Sequence, residues 1–146
     1  MDKVLFSSKK MDWETPQSFF DELNKEFNFN LDVCADDFNH KCEEYFTKEI
    51  DGLKQNWGGK RVFCNPPYGR EIYEWVKKCN EESQKENTII VLLIPSRTDT
   101  KYFHEFLYKK ENVELRFIKG RLKFGDGKNS APFPSLLAIF RSKINA

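Results

Sequence analysis

The sequence lacks the features that mark membrane, secreted and metal-binding proteins. Its 146 residues contain no run of 18 apolar residues, so we predict no membrane span and no contact with a membrane. The four cysteines have no C-x-x-C spacing, which favours reduced thiols over a disulfide scaffold. Cys34, His40 and Cys42 match no common zinc spacing and a fourth ligand is missing, so we predict no metal site. Since the apolar stretch near the N-terminus has only three residues, too few for a secretory signal, we expect a cytoplasmic protein.

Net charge is small overall but unevenly distributed. Residues 1–96 carry 13 Lys and Arg against 18 Asp and Glu, a net charge of −5. Residues 97–146 carry 11 against 5, a net charge of +6. The excess is densest in "RFIKGRLKF", with Arg116, Lys119, Arg121 and Lys123. This pattern fits either a solvated strand face or a phosphate-binding surface, and charge alone does not separate the two.

Apolar periodicity and turn residues predict strands that alternate with helices. The first helix is "TPQSFFDELNKEF", with Thr15 as N-cap and Pro16 at the first helical position. Further helices are predicted over residues 37–46, 71–85 and 99–110. Predicted strands are "FNLDVC", "RVFC", "TIIVLLI", "VELRFI", "RLKF" and "PSLLAIF".

This order predicts an α/β fold with a mostly parallel sheet flanked by helices. The last two strands are expected to form an antiparallel hairpin at one edge. Only 27 residues separate Cys34 from Val62, so at most one extra short strand fits between them and the sheet is a reduced one. We expect residues 1–12 to form a flexible arm and residues 13–146 to form one domain.

The stretch "CNPPYG" directly follows a predicted strand and combines two acceptors with an aromatic face. Asn65 offers an amide oxygen, Pro66 a carbonyl without a competing N–H, and Pro67 stiffens the turn. Tyr68 offers a ring that can stack on a planar group. Two fixed acceptors suit a planar substrate with an NH₂ group, because they draw electron density to nitrogen and aim its lone pair. The chemistry this predicts is attack of an aromatic amine on a strong electrophile such as a methylsulfonium.

"NPPY" resembles the catalytic motif of N6-adenine DNA methyltransferases. The ordered set "W-x-TP", "LDVCA", "IDGL", "NPPYG", "LLIPSRTDTKYFH", "GRLKF" and "APFPS" is similar to the small phage-type enzymes of this family, from about Trp13 to Arg141. The resemblance implies a reduced Rossmann-like class I methyltransferase fold, S-adenosylmethionine as cofactor and double-stranded DNA as substrate. It also implies a phage or prophage origin in a bacterial host and a setting in restriction–modification.

The resemblance assigns roles to individual residues. Asn65 and the Pro66 carbonyl would accept from the adenine N6 amine, and Tyr68 would stack on the base. The cofactor-binding residues it implies are Trp13, Thr15, Pro16, Asp32, Ala35, Asp51 and Asn65. Because the base must be flipped out of the duplex, phosphate contacts are needed. The candidates for these contacts are Arg97, Lys101, Arg116, Lys119, Arg121 and Lys123, and Phe124 and Phe133 are either pocket walls or core residues.

Two features distinguish this sequence from larger methyltransferases. "DVCADD" lacks the glycine-rich turn that larger methyltransferases have after the first strand. We also expect no separate target-recognition domain, so loops of this domain or a second subunit would recognise the DNA sequence. The protein is expected to be a monomer or a homodimer. The alternatives are methylation of cytosine N4, RNA adenine or protein glutamine, and a DNA-binding module with weak catalysis.

Overall fold

The computed structural model describes residues 14–125 and 130–142. The predicted arm, and Trp13 with it, lie outside the described residues. Within them the helices are α1 (Gln17–Phe27) and α2 (Ile72–Glu82), with a 3₁₀ turn at Gly52–Lys54 and a π-helical turn at Phe103–Leu107. The strands are β1 (Leu31–Asp32), β2 (Arg61–Cys64), β3 (Ile89–Pro95), β4 (Val113–Phe117) and β5 (Ser135–Arg141).

In the described part the strands form one mixed sheet in the order β1-β2-β3-β5-β4. β1, β2 and β3 pair in parallel, whereas β5 pairs antiparallel with both β3 and β4. β4 therefore runs in the same direction as β1 to β3, and these four strands end at one edge of the sheet. The predicted α/β class is confirmed, although the neighbouring pairs are divided evenly between parallel and antiparallel.

The two faces of the sheet are covered by different elements. α2 packs on one face, where Trp75 and Val76 lie in a cluster with Val62 and Leu92. α1 packs on the other face through an apolar stripe that contacts the aromatic side of β2. Its Phe20 ring lies 5.1 Å from the ring of Phe63 in an edge-to-face arrangement, a geometry that favours aromatic pairs. These contacts fix the start of α1 beside the end of β2.

Three element predictions were wrong. "RLKF" forms no strand, and the antiparallel pair is made instead by β4 and β5. β5 is also not at an edge, because its apolar residues are buried on both faces and both of its edges are paired. Residues 37–46 form no helix; a tight turn spans residues 36–39, and Tyr45 bridges to Asp32 beside β1.

Smaller differences concern the ends of elements. "FNLDVC" shortens to two strand residues, Leu31–Asp32. The helix predicted over residues 99–110 begins at residue 101 and changes to a π-helical turn at Phe103–Leu107. Thr15 is not the N-cap of α1, since Pro16 holds that position without a side-chain cap. The hydroxyl of Thr15 is instead bonded to a residue 50 positions away, as described below.

Candidate active site

The NPPY turn lies where β2 leaves the sheet, at the edge shared with the ends of β3 and β4. Cys64 pairs with Leu92, so Asn65 comes next to Leu93 of the central strand. Pro66 is buried and Pro67 is exposed. Neither proline has an N–H, so the Pro66 carbonyl has no donor beside it in the turn. Gly69 has φ +120°, a backbone conformation that side-chain-bearing residues rarely adopt, and it lets the chain leave the turn toward α2.

The side-chain amide of Asn65 is held from both ends. Its Nδ2 donates to Thr15 Oγ1 at 2.9 Å, and its Oδ1 accepts from the Tyr68 hydroxyl at 2.8 Å. An amide oxygen has two lone pairs, so Oδ1 can accept from more than one donor. The arrangement therefore presents an oriented acceptor next to the aromatic ring of Tyr68.

Tyr68 lies in a small aromatic cluster. Its ring contacts those of Phe124 and Phe133 edge-to-face, at centroid distances of 6.3 and 5.6 Å. Its hydroxyl also lies 3.3 Å from the carbonyl oxygen of Leu93. Burial, above all, raises the pKa of Tyr68, so the phenol stays protonated and acts as a donor and not as a base. From the sequence, Phe124 and Phe133 were expected to be either pocket walls or core residues. Both are in ring contact with Tyr68.

Asp32 at the end of β1 has both carboxylate oxygens engaged by the loop that follows. Oδ2 accepts from the Lys41 backbone N–H at 2.8 Å, and Oδ1 from that of Cys34 at 3.3 Å. Burial raises the pKa of Asp32, and the two backbone hydrogen bonds oppose that shift. Ala35 donates its N–H to the Phe46 carbonyl at 3.0 Å. Asp32 therefore shapes the turn that stands in place of a glycine-rich loop.

The "IDGL" segment packs directly behind that turn. Asp51 Oδ1 accepts from the Leu53 N–H at 3.1 Å, and Asp51 has φ 64°, which is strained for a residue with a side chain. A Cβ added to Gly52 would lie only 2.3 Å from the Val33 carbonyl oxygen. The fully buried Trp57 donates its indole N–H to the Gly52 carbonyl at 2.9 Å. The close approach of the Val33 carbonyl, as well as the turn itself, explains why residue 52 is glycine.

The predicted phosphate-binding residues divide into two groups. Five of them are exposed and follow the ends of β3 and β4, at the same edge as the NPPY turn: Arg97, Lys101, Lys119, Arg121 and Lys123. Arg116 differs, because it lies within β4 and forms a bidentate ion pair with Glu26, both bonds being 2.7 Å. Glu114 also accepts from Arg116 at 2.6 Å. The hydrogen bonds to these carboxylates, above all to Glu26, raise the pKa of Arg116. The two carboxylates also offset the positive charge that would attract a phosphate.

Sequence reasoning missed two backbone groups at the site. The Leu93 carbonyl faces the Tyr68 hydroxyl, and the Glu14 carbonyl accepts from the Gly125 N–H at 3.0 Å. The second bond ties the start of α1 to the residue after Phe124. No sequence signal identifies either group, because both contacts join segments that are far apart along the chain.

Over the described ranges, no three His, Cys, Asp or Glu side chains are grouped as a metal ion would require. All four cysteines are free thiols. No helix among the described residues is long and apolar enough to cross a membrane.

Comparison with known proteins places the chain in a family. The profile of the family described as DNA N-6-adenine-methyltransferase (Dam) matches residues 4–143. The DNA N-6-adenine-methyltransferase of Escherichia phage T1 is 36% identical over 113 residues, which cover 75% of this chain and 45% of that protein. The protein of the same name from Haemophilus phage HP1 is 27% identical over 147 residues, covering 94% of this chain and 84% of the relative.

A solved structure of a protein from Thermoplasma acidophilum, assigned as a methyltransferase, matches with a TM-score of 0.45 at 11% identity, over 91% of this chain and 67% of that one. The chain thus spans less than half the length of the phage T1 relative and most of the phage HP1 relative. The family profile covers nearly the whole sequence and includes every motif of the candidate site. This chain belongs to the DNA N-6-adenine-methyltransferase (Dam) family.

Proposed function

We propose that the protein transfers a methyl group from S-adenosylmethionine to the N6 amine of adenine in DNA. The observation that carries this is the Asn65 amide, whose nitrogen is bonded to Thr15 while its oxygen lies beside Tyr68. Membership of the Dam family supports the same reaction. Asn65 Oδ1 and the Pro66 carbonyl would accept the two N6 hydrogens and aim the nitrogen lone pair. The gain in rate comes from orientation and electrostatics, since no strong base is needed.

S-adenosylmethionine, when bound, supplies a methyl group on a positively charged sulfur. The loop after β1 carries acidic side chains that suit such a cation: Asp36 and Asp37 are exposed, each with one carboxylate oxygen bonded within the loop. In this proposal Trp13, Pro16, Ala35 and Asp51 line the cofactor site. Asp32 acts there by holding the loop after β1, because its own oxygens are engaged by backbone N–H groups.

The DNA partner in this proposal is double-stranded, with the target adenine flipped into the aromatic cluster. Flipping costs a few kcal/mol, which phosphate contacts must offset. Tyr68 would stack on the base, with Phe124 and Phe133 as further walls, and the exposed basic residues at the same edge would hold the backbone. In this proposal, residues 124–134 would take part in recognising the DNA sequence. The proposal is compatible with binding as a monomer or as a homodimer.

The finer fold assignment and the biological setting belong to the proposal as well. The strand order, with β5 inserted antiparallel between β3 and β4, supports a reduced Rossmann-like class I methyltransferase arrangement. Similarity to phage proteins supports a phage or prophage gene acting in the cytoplasm of a bacterial host. Restriction–modification is one setting in which such an activity is used.

A labelling experiment tests the reaction. The protein is incubated with S-adenosylmethionine tritiated on its methyl group and, in separate reactions, with unmethylated genomic DNA, RNA or cell protein. The digested nucleosides or amino acids are separated, and DNA binding is measured in parallel. We expect label in N6-methyladenine nucleoside and none in RNA or protein. Label in N4-methylcytosine or in protein glutamine would overturn the substrate assignment. DNA binding without label would support a binding module instead.

Two substitutions at Tyr68 separate its ring from its hydroxyl. Tyr68→Ala removes the stacking surface, and we expect turnover to fall about 100-fold while cofactor affinity changes little. Tyr68→Phe keeps the ring but removes the bonds to Asn65 and Leu93, and we expect a loss of about tenfold. Steady-state kinetics and calorimetry with S-adenosylmethionine measure the two effects. Equal losses of turnover and cofactor binding in Tyr68→Ala would count against a stacking role.

The salt dependence of DNA binding tests the basic edge. Replacing Lys119 or Lys123 by Ala should lower the slope of log Kd against log salt by about 0.9 each, because each neutralises one phosphate. Arg116→Ala is the control, and its slope should stay unchanged since Glu26 and Glu114 already pair with that arginine. Fluorescence anisotropy with a labelled duplex at several salt concentrations gives the slopes. A larger change for Arg116→Ala than for the two lysines would reverse the assignment.

A further inference from the structure

The Asn65 side chain needs a partner that fixes its plane. An asparagine amide rotates about its last side-chain bond and presents either oxygen or NH₂ to a given side. Only the oxygen accepts a hydrogen from an amine. Tyr68 alone is a weak guide, because a hydroxyl both donates and accepts and this one is also close to Leu93. A second contact at the opposite end of the amide sets the plane.

Thr15 supplies that second contact from a rigid position. Its Oγ1 accepts from Asn65 Nδ2 at 2.9 Å, and Thr15 is 5% exposed. The adjacent Pro16 has a restricted backbone and caps α1, which is docked on the sheet by its aromatic face. On the other side, the Glu14 carbonyl is tied to Gly125. Thr15 therefore has little freedom to move away from the amide.

We infer that Thr15 is a positioning residue for the amine-accepting side of the site, holding the Asn65 amide so that Oδ1 stays aimed at the substrate amine. This inference rests on the proposed methyl transfer. It changes the role that the "TP" motif suggests, because the hydroxyl serves Asn65 and not the methyl donor. It also differs from a simple cap, since Pro16 is the N-cap of α1 and the Thr15 hydroxyl accepts from Asn65.

Thr15→Val tests this with almost no change of shape, because it replaces the hydroxyl by a methyl group. With the Thr15 acceptor of Nδ2 removed, the amide plane is held less firmly, and we expect kcat to fall about 10- to 100-fold. The Kd for S-adenosylmethionine should stay within about twofold, since the donor loses no contact in this scheme. Thr15→Ser keeps the hydroxyl and should restore most of kcat.

A matched control uses another buried threonine. Thr88 is fully buried at the start of β3, at the opposite edge of the sheet, and its hydroxyl accepts from the Gly59 N–H at 2.8 Å. Thr88→Val should reduce thermal stability but leave kcat within about twofold of the unchanged protein. A parallel loss of kcat in this variant would mean that general loosening, and not the Thr15 contact, explains the first result.

A readout without turnover comes from hydrogen exchange of the Asn65 side-chain NH₂ group, assigned in nuclear magnetic resonance spectra by its absence in Asn65→Ala. We expect slow exchange in the unchanged protein and in Thr15→Ser, and faster exchange in Thr15→Val. Unchanged exchange in Thr15→Val, or a rise in the cofactor Kd that accounts for the whole loss of activity, would overturn the inference. Failure of the methyl transfer itself is recognised separately, as absence of label with the unchanged protein on any substrate.

Discussion

Asn65→Ala should lower methyl transfer by at least about 100-fold while the protein stays folded. The substitution removes the amide acceptor of the NPPY turn, and losses of about 10²–10³ are typical when one preorganised electrostatic group is removed from an active site. Asn65 is half-buried and outside the sheet, so its loss leaves the apolar core intact. Single-turnover kinetics measure the chemical step, and thermal unfolding checks the fold.

Two further variants make the Asn65 result specific. Asn80→Ala on α2 is the control for the same change away from the sheet edge, and it should leave the rate within about twofold. Asn65→Asp loses the NH₂ group that donates to Thr15. Because it keeps an acceptor oxygen, it should retain more activity than Asn65→Ala. A rate near that of the unchanged protein in Asn65→Ala would rule out the amide oxygen as the acceptor that drives the reaction.

Those parts of the fold with local signals were predictable. β2 and β3 are short apolar runs bounded by polar or turn residues, and the two prolines end β2 whatever the rest of the chain does. Because parallel strands end at one edge of a sheet, the predicted positions of β2 and β3 also bring Asn65 close to the residues that follow β3. The position of the NPPY turn, where we propose that the amine is accepted, therefore follows from residues 61–68 and the strand order.

Features set by competition between distant segments were not predictable. "RLKF" has a strand-like pattern, but its predicted partner β5 is already paired on both edges by β3 and β4, so residues 121–124 cannot pair with it. Residues 37–46 form no helix, and their backbone is bonded instead to Asp32 at the end of β1, through Lys41 and Phe46.

The same limit applies to single side chains. Thr15 has the sequence context of a helix cap, yet its hydroxyl partner is 50 residues away. Arg116 belongs to the densest basic stretch, yet Glu26, which offsets its charge, is 90 residues away. Propensity and charge patterns report on neighbours along the chain, so they cannot identify partners that the fold brings in.

The donor side of the proposed site lies beside one close backbone contact, and Gly52→Ala should test whether cofactor binding depends on it. The added Cβ would lie 2.3 Å from the Val33 carbonyl oxygen and 3.1 Å from the Trp75 ring. The first contact is with backbone that directly follows β1, so relief requires moving the strand end itself. Overpacking of this kind costs about 3 kcal/mol, and we expect the melting temperature to fall by roughly 10 °C.

Gly58→Ala is a matched control for the Gly52 substitution. Its Cβ would approach Lys85 Cδ at 2.8 Å and Lys85 Cβ at 3.3 Å. The Cδ atom belongs to a half-exposed side chain, which can shift by rotation about its own bonds while Nζ stays near Asn56 and Glu82. We therefore expect a loss below about 1 kcal/mol. Gly52→Ala should also raise the Kd for S-adenosylmethionine, because Val33 leads into the loop that we assign to the donor. Equal melting temperatures for the two variants would show that Val33 yields easily. A stability loss in Gly52→Ala without weaker cofactor binding would instead separate the core packing of "IDGL" from the donor site.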